Sequence, residues 1–139
     1  MIEPYLHKAQ YYETDQMGVI HHSNYLRWFE EARVDWLDRL GIGYDGLEAE
    51  GIIIPVLSAT CEYKSMVRFG DTVAIHLCIS ALSGSRMTVG YRILDAATGE
   101  LRTMGTTSHC FLKKEGRPVS LKKACPRVYE ALAASCTDK

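Results

Sequence analysis

The sequence has no apolar run long enough to cross a bilayer, since stretches such as IIIPVL at 52–57 fall far short of the roughly 20 residues that a membrane helix needs. It also has no excess of charge of either sign, with a formal net charge of -1. We therefore expect neither a nucleic-acid surface nor an acidic tail. The N-terminal residues MIEPYLHKAQ lack the apolar core of a signal peptide, so a cytoplasmic protein is expected.

Paired cysteine motifs are missing as well. The five cysteines are odd in number, and no two of them have CxxC spacing. Three of them, Cys61, Cys78 and Cys110, fall in apolar, strand-like runs. We expect reduced thiols that act as small hydrophobic side chains in a cytoplasmic protein, rather than a disulfide framework.

The length and composition of the chain are ordinary for one globular domain. The 139 residues are 47% hydrophobic and 24% charged, which suits a single core. No repeat or low-complexity segment divides the chain. We predict one domain over residues 1–139, with a core at about 5–116 and a further helix within 121–134.

A helical period runs from Asn24 to Leu40, because apolar side chains recur there at intervals of three and four. Ser23 or Asn24 is expected to cap this helix, and Gly41 is expected to end it. The side chains on the predicted apolar face are Tyr25, Trp28, Phe29, Ala32, Trp36, Leu37 and Leu40.

Four later segments are rich in β-branched and aromatic residues. The breaks between them, at Gly70-Asp71, Ser83-Gly84-Ser85 and Thr98-Gly99, are typical of hairpin turns and predict an antiparallel meander. With a short strand expected at Lys8–Tyr12, the pattern predicts an α+β domain whose five-stranded antiparallel sheet wraps around one long helix. The exposed edges of such a sheet favour pairing with a second subunit.

The stretch TDQMGVIHHSNY, residues 14–25, joins a lone carboxylate to a helix start. The first N–H groups of a helix have no internal partner and carry the positive end of its dipole, so they stabilise an oxyanion. A carboxylate beside them, here Asp15, can attack a carbonyl or activate a water, as ester or thioester cleavage requires. The plain alternative is a type I turn, in which Asp15 and Gly18 occupy common positions.

The longer segment YYETDQMGVIHHSNYLRWFEEAR, residues 11–33, resembles the signature of the 4-hydroxybenzoyl-CoA thioesterase family, within the hot-dog fold superfamily. Residues 51–73, GIIIPVLSATCEYKSMVRFGDTV, are similar to the family's first long strand and the turn after it. The resemblance covers most of the chain. It implies a hot-dog acyl-CoA thioesterase of the YbgC-type branch, with coenzyme A as part of the substrate and no separate cofactor. It also implies active sites at the interface of a homodimer, and homotetramers are common among such relatives.

The resemblance places Asp15 at the family's catalytic carboxylate, as nucleophile or as general base. It assigns the oxyanion donor to the backbone N–H of His22, with Gly18 and Val19 shaping the approach. The His22 imidazole is then left to contact the substrate or the leaving thiolate. The substrate-binding positions that we expect are Val19, His21, Asn24, Tyr25, Glu30, Ile54, Lys64, Arg68 and Arg86.

The phosphates of coenzyme A require basic residues at the pocket mouth. Lys64, Arg68 and Arg86 are candidates, together with Lys113 and Lys114. Arg86 leads this set, because it follows the Ser-Gly-Ser turn at a place where relatives bind these phosphates.

The acyl pocket is expected to be apolar at Ile54, where hydroxybenzoyl-selective relatives carry a polar residue. This favours a short or medium acyl chain, with an aromatic acyl group left open. Glu30 matches a position at which those relatives carry a substrate-contacting acid, and it would reach across the subunit interface. The alternative for Glu30 is a helix-surface pair with Arg33.

No metal site is expected, because the adjacent side chains of His21 and His22 should diverge and the other histidines are scattered. Two other classes stay open. One is a hot-dog dehydratase or hydratase, whose longer hydration motif is not visible, and the other is a non-catalytic acyl-CoA-binding module. The substitution Asp15→Asn separates them, since only a thioesterase would lose turnover while still binding acyl-CoA.

Overall fold

One long helix and a five-stranded antiparallel sheet dominate the computed structural model, which describes residues 3–135 without the side chains of residues 44 and 45. The strands are β1 (Tyr5–Lys8), β2 (Ile52–Ile53), β3 (Val56–Tyr63), β4 (Thr72–Leu82), β5 (Arg86–Asp95), β6 (Leu101–Cys110) and β7 (Leu112–Lys113). The helices are α1 (Ser23–Arg39), α2 (Gly43–Ala49), α3 (Leu121–Ala124) and α4 (Pro126–Ala134), with one 3₁₀ turn at Tyr11–Glu13. This is the predicted α+β architecture.

The order of strands in the sheet is β1-β4-β5-β6-β3, and all neighbours are antiparallel. β4, β5 and β6 form a meander, as predicted. The hairpin predicted at Gly70-Asp71 is wrong, because β3 pairs with β6 at the far edge, where Tyr63 faces Thr103. A tight turn does form there, with the Asp71 N–H donating to the Arg68 carbonyl at 3.0 Å, but it lies inside a connection that crosses the sheet. Local turn chemistry does not decide which strands pair.

Helix α1 packs its apolar face on the sheet, as its periodicity predicts. Trp28 and Phe29 are completely buried, whereas Leu40 at the end of the stripe is only half-buried. The Phe29 ring stacks on Tyr91 of β5 with centroids 4.1 Å apart. This close approach requires Gly105 in β6, since a Cβ there would lie 2.6 Å from the Phe29 ring.

The first strand and the turn that follows it differ from the prediction. The first strand is Tyr5–Lys8 rather than Lys8–Tyr12, and the chain then turns through Tyr11–Glu13. This turn is closed by the Gln10 N–H, which donates to the Glu13 carboxylate at 2.9 Å. Such a side-chain contact turns the chain out of the strand direction, and alternation in the sequence does not reveal it.

The cap predicted for α1 at Ser23 or Asn24 is also wrong. The helix begins at Ser23 itself, His22 is the N-cap residue, and no side chain of the N-cap closes the helix end. At the other end Gly41 follows the helix with φ +79°, in the left-handed conformation expected of a helix-ending glycine.

The apolar run at 52–57 is divided between two strands. Ile52–Ile53 forms β2, which pairs with β7, and β3 starts only at Val56, after Pro55. In the region of the predicted C-terminal helix the structure has α3 and α4, separated at Cys125. Their buried residues, Leu121, Val128 and Leu132, belong to the same core as α1.

β3 forms an open edge of the sheet, and most of its residues are exposed. Val56 and Leu57 are 47% and 49% exposed, which is high for apolar side chains on a strand. The four cysteines that the structure describes are free thiols, and Cys136 lies outside the described residues. Within residues 3–135, no helix has the length and apolar character needed to traverse a bilayer.

Candidate active site

The Asp15 carboxylate lies on a tight loop between two paired backbone positions. Thr14 and Ile20 form a β-bridge, and inside it the Asp15 N–H donates to the Val19 carbonyl at 2.8 Å. The Gly18 N–H donates to the Asp15 carbonyl at 3.0 Å, and Gly18 has φ +80°, which only glycine adopts readily. The turn interpretation is therefore correct, and it holds the half-buried Asp15 side chain in place.

One oxygen of that carboxylate is engaged within the turn, since Asp15 Oδ1 accepts the Met17 N–H at 2.8 Å. Among residues 3–135 the carboxylate has no ion-pair partner. The turn thus fixes the orientation of Asp15 and leaves its second oxygen, Oδ2, available to a ligand.

The start of α1 presents one backbone N–H without an acceptor. The Ser23 N–H is accepted by His21 Nδ1 at 3.2 Å, and the Asn24 N–H by the His21 carbonyl at 3.0 Å. For the His22 N–H, by contrast, the described part of the chain offers no acceptor. This donor lies at the positive end of the helix dipole, where an anionic oxygen is stabilised.

A cavity of about 660 Å³ opens in front of Asp15 and His22. Six of the residues predicted for the site meet there: Asp15, Val19, His22, Tyr25, Lys64 and Arg68. The sequence did not point to the other five lining residues: Ile20, Tyr63, Ser65, Met66 and Arg102. Three of these five, Tyr63, Ser65 and Met66, belong to β3 and the crossing connection after it.

Two tyrosines form one wall of the cavity, with the Tyr25 and Tyr63 rings 5.1 Å apart, edge to face. The Tyr63 hydroxyl donates to the His22 carbonyl at 3.4 Å. Burial, aided by the neighbouring Cys61, raises the pKa of Tyr63 to about 12, and burial also raises the pKa of Tyr25. Both phenols therefore stay protonated at neutral pH and act as hydrogen-bond donors rather than as bases.

The cations of the cavity differ in how firmly they are held. Arg102 bonds to Asp95 at 3.2 Å and to Glu100 at 3.1 Å, and Lys64 pairs with Glu62 at 3.1 Å. The Arg68 side chain is exposed, and within the described part of the chain its guanidinium forms no ion pair and contacts only the Met66 sulfur, at 4.0 Å. Arg68 is therefore the cation most free to meet an anionic group of a ligand.

Behind the loop lies a buried acid that the sequence did not reveal. Glu13 is 4% exposed, and its carboxylate accepts from His7 Nε2 at 3.0 Å and from Trp28 Nε1 at 2.9 Å. Burial alone would raise the pKa of Glu13, but the bonds from His7, Trp28 and the Gln10 N–H outweigh it and lower that pKa. Glu13 is consequently a buried carboxylate ion in the part of the chain that leads to Asp15.

Two predicted substrate contacts have structural partners instead of lining the cavity. The His21 ring stacks on His22 with centroids 4.3 Å apart, so the expected divergence of these side chains is wrong. The Asn24 amide is buried and donates to the Glu13 carbonyl at 2.9 Å.

The remaining predicted positions lie elsewhere. Glu30 is exposed on α1, and its proposed partner Arg33 instead donates to the Tyr91 hydroxyl at 2.9 Å. Ile54 borders a small buried space beside Trp36 and His109. Arg86, an exposed residue at the start of β5, is not among the residues that line the cavity, and neither are Lys113 and Lys114.

Known proteins identify this arrangement. A long helix held by an antiparallel sheet, with the loop before the helix facing a cavity, is the hot-dog fold of thioester-cleaving enzymes. The solved DHNA-CoA thioesterase of Staphylococcus aureus superposes with a TM-score of 0.89 at 34% identity, covering 95% of this chain and 89% of that one. The chain belongs to the thioesterase-like superfamily, whose family model matches residues 10–133.

Curated relatives agree with this assignment. The Bacillus subtilis protein YneP, provisionally named an acyl-CoA thioesterase, is 37% identical over 120 residues, covering 86% of each chain. The acyl-CoA thioester hydrolase YbgC of Escherichia coli is 26% identical over 117 residues, covering 84% of this chain and 87% of YbgC. The predicted family is thus confirmed, and the chain is a thioester hydrolase.

Proposed function

We propose that this enzyme hydrolyses acyl-CoA thioesters to the free acid and coenzyme A. The observation that carries the proposal is that one cavity of about 660 Å³ is lined by Asp15 and by His22, whose N–H has no acceptor within the described residues. The names of its relatives, which refer to acyl-CoA substrates, support the same class.

In this mechanism the thioester carbonyl oxygen accepts a hydrogen bond from the His22 N–H. Asp15 attacks the carbonyl carbon, or removes a proton from an attacking water, and negative charge develops on the carbonyl oxygen. The His22 N–H at the helix start stabilises that charge, an effect worth about 3–4 kcal/mol per donor in related oxyanion holes. In the general-base route, collapse breaks the C–S bond and the thiolate takes the proton that Asp15 removed from the water. In the nucleophilic route, the thiolate leaves and takes a proton from solvent, and water then cleaves the anhydride between Asp15 and the acyl group, which gives the acid and restores the carboxylate.

The coenzyme A portion is anionic, and we assign its nearest cation to Arg68. The Arg68 guanidinium is exposed at the cavity and forms no ion pair within residues 3–135, whereas Lys64 and Arg102 already bond to carboxylates. A guanidinium binds phosphate oxygens in a planar, two-pronged manner, which suits this role. Arg86 remains a proposed second contact to coenzyme A, which another subunit of an assembly would supply.

A homodimer would unite the two groups of predicted site residues. If two copies pair their exposed β3 edges antiparallel about a two-fold axis, the Tyr63 end of one strand lies beside the Val56 end of the other. Tyr63 borders the Asp15 cavity, and Val56 borders a groove of about 220 Å³ that also includes Glu30 and Arg33. The second copy thus brings Glu30, and nearby Ile54, toward the Asp15 of the first. We propose at least a dimer, with a tetramer formed by pairing dimers.

The acyl group that we propose is apolar and of short or medium length. Ile54 and the exposed Val56 are the apolar side chains near the second half of such a site. The Staphylococcus aureus relative, named for DHNA-CoA, favours a bulkier aromatic acyl group as the second candidate. The four free thiols of the described chain fit the cytoplasmic location that we propose.

The test is a panel of acyl-CoA esters, assayed by the release of free thiol. We expect turnover with apolar acyl groups and a drop in kcat of at least about 100-fold in Asp15→Asn, with binding of CoA unchanged. Asp38→Asn, on the exposed side of α1, is the matched control and should keep full activity. A wild-type protein that binds acyl-CoA but releases no thiol would indicate a binding module, and a fully active Asp15→Asn would remove Asp15 from the mechanism.

A further inference from the structure

The buried carboxylate of Glu13 does not line the cavity, and the mechanism above does not use it. Three donors from separate parts of the chain surround it: His7 Nε2 of β1 at 3.0 Å, the Gln10 N–H at 2.9 Å and Trp28 Nε1 of α1 at 2.9 Å. A buried carboxylate is strongly destabilising unless it is fully bonded. The three donors satisfy the Glu13 side chain, and the backbone carbonyl of the same residue makes further hydrogen bonds.

The main chain of the same residue closes the loop that carries Asp15. The Glu13 carbonyl accepts the His21 N–H at 2.8 Å and the Asn24 side-chain amide at 2.9 Å. Residues 14–20 thus form a loop that begins and ends at the bond between Glu13 and His21. The side chain of Glu13 fixes that point to β1 and α1, and its carbonyl fixes it to the start of α1.

The two proposed catalytic groups lie on either side of this point. Asp15 follows Glu13 by two residues, and His22 follows His21 by one. A shift of Glu13 would therefore change the separation between the Asp15 carboxylate and the His22 N–H. Misplacement of catalytic groups by about 1 Å can cost about 100-fold in rate.

Other polar groups fix the position of His7, which in turn bonds to Glu13. His7 Nδ1 lies 3.2 Å from Glu31 Oε1, and the Tyr5 hydroxyl donates to the same oxygen at 3.0 Å. The His7 ring also packs on Trp28, with centroids 4.7 Å apart. The position of Glu13 is thus determined by β1 as well as by α1.

We infer that Glu13 is a positioning residue, which fixes Asp15 relative to the His22 N–H through its bonds to His7, Trp28 and His21. The inference rests on the proposed function of Asp15 and goes beyond it, because Glu13 touches neither the substrate nor the reacting atoms. Its effect on the rate must accordingly pass through the placement of Asp15 relative to the His22 N–H.

The test uses Glu13→Gln, which keeps the size of the side chain but removes its charge. The amide NH₂ must face at least one of the buried donors, so one hydrogen bond is lost and the loop moves. We expect kcat for the best acyl-CoA to fall about tenfold or more, with KM within about twofold. Val128→Ala, buried in α4 far along the chain, is the control for general destabilisation: it should lower Tm without lowering kcat at 25 °C.

A double variant separates positioning from a merely structural role. In the Asp15→Asn background, Glu13→Gln should lower the small residual rate by less than about twofold, because the group it positions is gone. An equal loss in both backgrounds, or a wild-type kcat in Glu13→Gln, overturns the inference. Full activity in Asp15→Asn overturns the proposed function instead.

If Glu13→Gln does not fold, Trp28→Phe removes a single donor to Glu13 and should lower kcat about threefold by the same route. An unchanged kcat in Trp28→Phe also overturns the inference.

Discussion

The substitution Gly105→Ala tests how α1 is seated on the sheet. A Cβ at residue 105 would lie 2.5 Å from the Thr60 carbonyl oxygen and 2.6 Å from the Phe29 ring. The first of these atoms is backbone of β3 and cannot move without disturbing the pairing of β3 with β6. The second belongs to a completely buried ring stacked on Tyr91, so it too has little room.

The expected cost follows from these contacts. Overpacking of a dense core costs about 1–3 kcal/mol. Replacing a glycine within a regular element by alanine returns about 0.5–1 kcal/mol of conformational entropy. The net effect is a loss of about 1–2 kcal/mol, which for a chain of this size lowers Tm by about 3–8 °C.

Gly90 of β5 offers a matched control for this substitution. A Cβ at residue 90 would meet only the Cys78 sulfur at 3.3 Å and the Cys78 carbonyl oxygen at 4.0 Å, so Gly90→Ala should change Tm by less than about 2 °C. Calorimetry of both variants at one protein concentration measures the difference, because any oligomer links Tm to concentration. Equal Tm values for the two variants would refute this account of the contact between helix and sheet.

Three more outcomes follow. Burial, together with the nearby Arg33, lowers the pKa of His109 from 6.5 to about 4. Because the unfolded chain takes up that proton at a higher pH than the folded chain does, the free energy of unfolding should fall by about 2 kcal/mol from pH 7 to pH 5. Urea unfolding at several pH values should show that His109→Gln loses this part of the pH dependence. Arg68→Ala should raise KM for acyl-CoA several-fold at low salt with kcat nearly unchanged, whereas Lys123→Ala should not; equal KM values would remove Arg68 from the coenzyme A site. Leu57→Glu, on the exposed β3 edge, should yield monomers by light scattering and lower activity, and an active monomer would contradict the shared site.

The elements that a local pattern specifies were predictable. The stripe from Tyr25 to Leu37 follows the period of a helix, and helix α1 is buried along it. The position of Gly41 as the end of α1 was predicted for the same reason, because one residue with a left-handed backbone suffices to end a helix.

Features that depend on contacts across the chain were not predictable in this way. The pairing of β3 with β6 joins residues about 40 to 50 positions apart, and no turn signal reports it. Glu13 looks like any other acid in the sequence, and only the folded chain brings His7 and Trp28 to it. Asp15 and His22 were expected to lie together, and they line one cavity, because the segment that carries both is continuous in sequence. Their catalytic roles stay a prediction. The wall at Tyr63 was missed because a distant strand supplies it.

The strand order also bears on how the protein forms during synthesis. β3 is complete at residue 63, yet within residues 3–135 it pairs in the sheet with β6 alone, which ends at residue 110. The apolar face of α1 emerges from the ribosome earlier still and has no finished sheet to cover it until then. The nascent chain therefore carries Trp28 and Phe29 without their sheet for dozens of residues of translation, which is the interval in which aggregation competes with folding.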